Sequence, residues 1–190
     1  MARLKEFDPH EKLAKAKELF GKKGYHATSV QDLSVNLKLS RSSMYDTFGD
    51  KHQLFIDCLQ SEIADTLKNL KAIIPYASSP INAIERMIFG AIKRVSEDKD
   101  CLVAKSIFEM ATLDDHIKKI LKDSTNTIAD VFEGLLLKAR EQGEFASERN
   151  IKETAAFIVA CFAGFYQVQV LYENRKMLDQ MATGLIRHLR

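Results

Sequence analysis

The sequence predicts an all-α protein, with a small N-terminal three-helix unit followed by a larger helical one. Two observations carry that prediction. Apolar residues recur at three- and four-residue spacings along the chain, the period of a helix with one buried face. Breakers are scarce: 190 residues contain eight Gly and three Pro, and all three Pro lie before residue 81. That scarcity suits helices better than a sandwich or a doubly wound sheet. A hydrophobic fraction of 46% is enough to bury a substantial core.

Residues Pro9 to Lys23 form the first predicted helix. Pro9 fits a first-turn position, Leu13, Ala16 and Phe20 make one apolar stripe, and Lys22 and Lys23 complement the dipole before Gly24 stops the helix. Thr28-Ser29-Val30-Gln31 has the form of a capping box for a short second helix carrying Val30, Leu33 and Leu37. A tight turn near Lys38-Leu39 leads to Ser40, the N-cap expected for a third helix, Arg41 to Phe48. Met44 and Phe48 point to its core, and Gly49-Asp50 closes it. Three short helices in under 50 residues, the second and third joined by a tight turn, follow the helix-turn-helix plan.

Longer helices are expected from Lys51 on. The fourth, Lys51 to Ile74, carries Leu54, Phe55, Cys58, Leu59, Ile63, Leu67 and Leu70. Ser79-Pro80 opens the fifth, Cys101 to Ala111 is a short sixth, and Asp115 to Gln142 is a seventh stopping at Gly143. Asn150 and Glu153 form a second capping box for a helix to Tyr172, and a last one runs from Lys176 to Leu189.

Charge is weakly polarised. In the first 55 residues ten Lys and Arg face seven Asp and Glu; in the rest 18 face 19. The mild basic excess thus sits where a DNA-facing surface would want it. In a helix-turn-helix, the N-terminal residues of the third helix point at base edges. Arg41 is the best base reader, since a guanidinium pairs bidentately with guanine. Ser42 and Ser43 are short enough for close approach, Asp46 either accepts from cytosine or orients Arg41, and the Thr47 methyl suits thymine. Arg3 and Lys5 are candidates for a basic arm.

Gly24-Tyr25 through Thr28-Ser29-Val30 to Asp32-Leu33, followed by Leu39-Ser40-Arg41-Ser42-Ser43-Met44-Tyr45 and Phe48-Gly49-Asp50-Lys51 to Leu54-Phe55, resembles the DNA-binding domain of the TetR/AcrR family. The resemblance covers residues 9 to 55 and is specific in spacing; Ser42, Asp46 and Thr47 depart from the residues common there. It implies a DNA-binding domain over residues 1–55 and a helical effector-binding and dimerisation domain over 56–190. The family further implies that Thr28, Ser29, Tyr45 and Lys51 hold phosphates. Ser40 joins Arg41, Ser42, Ser43, Asp46 and Thr47 in the candidate DNA-binding set.

The helix from Ile151 to Tyr172 is apolar almost all round and must be covered on two sides. The protomer core on one side and a second copy on the other is the simplest cover, and the family pairs its last two helices in this way. Phe157, Ala160, Gly164, Val168, Leu178, Met181 and Leu185 are the expected dimer contacts. Met87, Phe108, Met110, Phe132, Phe162, Phe165 and Tyr166 are the candidates for a pocket that takes a small hydrophobic or amphipathic effector.

Cys58, Cys101 and Cys161 are an odd, widely spaced set without a CxxC pair, which argues against a disulfide framework or zinc ribbon and for a reducing cytoplasm. Cys101, at an expected helix start, is a candidate redox sensor. Five histidines without HxxxH or HExxH spacing support no metal site, and no cofactor is expected. No Gly-rich phosphate loop, nucleophile elbow or carboxylate pair points to an enzyme. Residues 1 to 20 do not read as a signal peptide, and the longest apolar run, Ala155 to Tyr166, is 12 residues against the roughly 20 of a bilayer span. The expected function is a ligand-released repressor binding a palindromic operator as a homodimer; the alternatives are an activator, or a helical adaptor whose helix-turn-helix binds protein.

Overall fold

The computed structural model describes residues 7–97, 100–146 and 148–189. Among them it contains nine α-helices and no strand. They are α1 (Pro9–Lys23), α2 (Val30–Leu37), α3 (Arg41–Phe48), α4 (Lys51–Ile73), α5 (Pro80–Glu97), α6 (Leu102–Glu109), α7 (Asp115–Glu141), α8 (Ile151–Tyr172) and α9 (Arg175–Leu189). The all-α expectation holds. A single 3-10 turn, Ile74–Tyr76, replaces the end expected for the fourth helix, because Pro75 cannot donate the next helical hydrogen bond.

Local chemistry sets the boundaries. The Asp8 carboxylate accepts from His10 N ahead of Pro9, and Gly24 stops α1 at φ 83°, a region that favours glycine. Asp50 accepts from Gln53 N, Asp114 from Ile117 N and Asn150 from Glu153 N, so α4, α7 and α8 each begin on a side-chain cap. At α8 the Glu153 carboxylate returns to the Asn150 side-chain amide. The capping box of α2 sits one residue later than Thr28 and Gln31 suggest. Ser29 is the N-cap, its Oγ accepting from Asp32 N, and Asp32 accepts from Ser29 N in return.

Packing divides the chain into two units. The first takes residues up to Asp65 and then Asp100 to Leu121; the second takes Thr66 to Lys99 and Lys122 onward. This differs from a cut after residue 55, because α6 and the first turns of α7 share a core with α1–α4. Phe20, Leu33, Leu37, Met44, Leu54, Phe55 and Leu59 bury there with Leu102, Met110, Ile117 and Leu121. T-shaped ring contacts of Phe55 with Phe20 and Tyr25 lie at its centre.

In the second unit, Ile81, Ile84, Met87 and Ile88 of α5 pack with Phe132, Leu135 and Leu136 of α7. Ala155, Ile158 and Phe165 of α8 and Leu178, Ala182 and Leu185 of α9 complete that core. At 22 residues α8 has the length and composition of a membrane span, longer than its 12-residue apolar run suggests. Its Ile151, Ala155, Ile158, Phe165 and Val168 are nevertheless buried in this core, while Phe157, Ala160, Val170 and Leu171 remain exposed.

Candidate nucleic-acid interface

The turn between α2 and α3 is built from two features. Lys38 takes the left-handed conformation at φ 51°, and the Ser34 hydroxyl donates to Leu39 O at 2.5 Å. Ser40 then caps α3 by accepting from Ser43 N at 3.1 Å. Met44 and Phe48 bury, which fixes the rotation of α3 and leaves Arg41, Ser42, Tyr45 and Asp46 on its exposed side. Ser43 and Thr47 are half-buried, and the Thr47 hydroxyl is occupied by Ser43 O at 2.7 Å.

Arg41 is held by a neighbour that the sequence assigned elsewhere. Its Nη2 donates to Oε1 of Gln31 on α2 at 2.9 Å. Gln31 is therefore not a capping residue, and Asp46 is not the group that orients Arg41. Asp46 instead accepts a long 3.4 Å contact from Ser42. The signal available in the sequence was helical spacing: with Ser29 as cap, Gln31 falls on the exposed side of α2.

Thr28 needs a correction of the same kind. It is fully buried, and its hydroxyl donates to Gly24 O at 2.6 Å, so it braces the α1–α2 corner and offers nothing to a phosphate. Ser29 is exposed at the α2 N-terminus. Lys51 opens α4 with its ammonium 4.2 Å from the centre of the Tyr25 ring. Partial burial lowers its pKa from the ordinary lysine value, and the Glu109 carboxylate opposes that. Asp32, hydrogen-bonded by Ser29 N and by Lys23, is held down to about 2. Arg3 and Lys5 lie outside the described residues.

The bacterial regulatory proteins, tetR family, model matches residues 13–58, and a tetracyclin repressor-like C-terminal domain model matches residues 80–185. The chain belongs to the TetR family. It is a DNA-binding transcriptional regulator. Over 154 residues, 78% of each chain, it is 34% identical to the uncharacterised HTH-type transcriptional regulator YezE of Bacillus subtilis (strain 168). It is 23% identical over 169 residues to the HTH-type transcriptional repressor DhaR of Mycobacterium sp. (strain GP1), covering 89% of this chain and 85% of DhaR. Among solved structures, a cysteine mutant of the TetR-family regulator CifR bound to 26-bp double-strand operator DNA superposes with a TM-score of 0.87. The superposition covers 100% of both chains at 19% identity.

The effector candidates do not share one place in this TetR regulator. Phe108 is 65% exposed on α6, and Met110 is buried in the core of the first unit. Because α6 folds with α1–α4, these two lie apart from Met87, Phe132, Phe162 and Phe165. Met87, Phe132 and Phe165 are fully buried in the second unit, where Phe162 packs against both phenylalanines, and Tyr166 is also buried. An open groove of about 520 Å³ runs between α8 and α9, lined by Phe157, Cys161, Phe165, Met181, Gly184, Leu185 and His188.

Of the expected dimer contacts, Phe157 is 49% exposed, Ala160 is exposed, and Gly164 and Met181 are half-buried. Val168 and Leu178 are buried in the protomer, where their stripes face the internal core; Leu185 is largely buried too, and its edge lines the groove beside Met181. Cys101 is the N-cap of α6 and partly buried; Cys58 is buried, which pushes its thiol pKa strongly up. Among the described residues no three His, Cys, Asp or Glu side chains gather as a metal site.

Proposed function

We propose that this regulator is a repressor that binds an inverted-repeat operator as a homodimer and is released by a small hydrophobic or amphipathic effector. The observation that carries the reading is the exposed edge of α3, with Arg41 held toward solvent by Gln31. Arg41 reads a base, Ser42, Ser43, Asp46 and Thr47 shape the preference, and Ser29, Ser40, Tyr45 and Lys51 position the phosphates. Two copies of α3 then lie roughly 34–36 Å apart, or a multiple of that, in successive major grooves.

The dimer contact is assigned to the outward side of α8 and to α9, around Phe157, Ala160, Gly164 and Met181. An apolar face left open there is covered most simply by its own copy across a two-fold axis. The apolar residues Met87, Phe132, Phe162 and Phe165 of the second unit support an effector site among α5, α7 and α8. A coupling of about 1–3 kcal/mol between that site and the DNA-binding unit suffices to release DNA roughly 5- to 150-fold. The relatives named as repressors, DhaR and the Brucella suis biovar 1 (strain 1330) protein BepR, favour repression over activation. Cys101 is retained as a candidate oxidant-sensing thiol, and the cytoplasm, where a chromosome is reached, as the site of action.

The test is capture of fragments of the host genome by the purified protein, followed by salt titration on the recovered duplex. A palindromic site bound with a steep salt slope is the expected result. A protein that ignores every duplex at low ionic strength overturns the reading.

A further inference from the structure

The first unit holds a pair of charged contacts that the helix-turn-helix plan does not supply. On α6, Glu109 spans the corner between α1 and α2: its Oε2 accepts from Tyr25 N at 3.0 Å and its Oε1 from His26 N at 2.7 Å. One turn earlier on the same helix, Lys105 Nζ donates to Gly21 O, and to Lys22 O at 3.0 Å. The cation thus meets the carbonyl end of α1 and the carboxylate meets the amides that follow it, each where the backbone dipoles favour it. Two glycines let the segments approach this closely. A Cβ on Gly24 would stand 2.5 Å from Glu109 Oε2, and one on Gly21 would stand 2.5 Å from Asp100 O.

Tyr25, whose amide Glu109 receives, is also the ring beneath the Lys51 ammonium. The ring is set by stacking on Phe20 and by a T-shaped contact with Phe55 at 4.9 Å. We infer that Glu109 is a positioning residue for DNA binding, fixing the Tyr25 backbone so that its ring holds Lys51 where a phosphate is met. Lys105 secures the other side of the same corner. The Glu109 charge also opposes the burial that lowers the Lys51 pKa. This inference rests on the reading of Lys51 as a phosphate contact.

The test measures the salt slope of binding to the recovered genomic duplex and to a random-sequence duplex of equal length. Lys51→Ala is expected to flatten the slope by about 0.9 for each subunit bound, the loss of one phosphate contact. Glu109→Gln, which leaves one of the two amides without an acceptor, is expected to flatten it by the same amount, and the double variant no further. Tyr25→Leu keeps an apolar group in the corner, removes the ring, and gives the same result if Glu109→Gln folds poorly. If Lys51→Ala flattens the slope while Glu109→Gln and Tyr25→Leu leave it at the wild-type value, the positioning role is wrong. If Lys51→Ala itself changes nothing, the phosphate reading fails first and takes this inference with it.

Discussion

Arg41 and Asp32 show how single side chains of the helix-turn-helix divide their work. A guanidinium paired with a glutamine amide keeps donors for a guanine edge while its rotamers are restricted, so part of the ordering cost is met before binding. Arg41→Ala is expected to weaken binding to the selected operator by about 1–3 kcal/mol and to relax preference at one base pair. Binding to random duplexes should change little; equal losses on both in a gel-shift competition would make Arg41 a phosphate contact instead. The hydrogen bonds from Ser29 N and Lys23 hold the Asp32 pKa down to about 2 from an ordinary 3.8, so its contribution to folding is complete above the ordinary value. That contribution disappears as pH falls through the folded value. A carboxyl NMR titration is expected to place the Asp32 midpoint near 2; a midpoint at the ordinary value would mean the capping box is not formed in solution.

At the scale of elements, the short helices of the first unit depend on how closely α6 approaches α1. Gly21 is buried inside α1 where alanine would ordinarily favour the helix, yet a methyl there meets Asp100 O at 2.5 Å. Gly21→Ala is therefore expected to destabilise by about 1–3 kcal/mol, the range of overpacking, in place of the gain that helix propensity gives. An unchanged or raised thermal midpoint would show that the segment beginning at Asp100 is not docked on α1. Lys38 raises the opposite case, a left-handed residue with a Cβ in the α2–α3 turn. Lys38→Gly removes a conformational cost of about 1 kcal/mol, and a denaturant titration should show a stabilisation smaller than that, offset by the freer unfolded chain.

For the molecule as a whole, the proposed dimer turns on the outward face of α8. Phe157 stands 49% exposed beside the groove between α8 and α9, and a charge there is easily solvated in a monomer but costly in a closed interface. Phe157→Glu is expected to leave the helical signal intact, to halve the mass measured by light scattering, and to abolish tight operator binding. A variant that remains dimeric would move the interface elsewhere. The same distinction between inside and outside governs the thiols. Cys58, buried with its pKa pushed up, should resist thiol reagents in the native protein and react only on unfolding.

By itself, the sequence determined the all-α class, the bounds of α1 and α3 and the helix-turn-helix, because caps, glycines and a 3.6-residue period are local signals read within a turn or two. It also placed Arg41 and Lys51 at the first positions of α3 and α4, where the structure has them. Contacts between residues some 80 positions apart were beyond it: the Glu109 carboxylate on the amides of Tyr25 and His26, and Phe108 exposed where a pocket was expected. The same holds for the faces of α8 and α9. An apolar residue reports that it will be buried somewhere, but only the packed structure decides which surface buries it, and so Val168, Leu178 and Leu185 went inward while Phe157 stayed out.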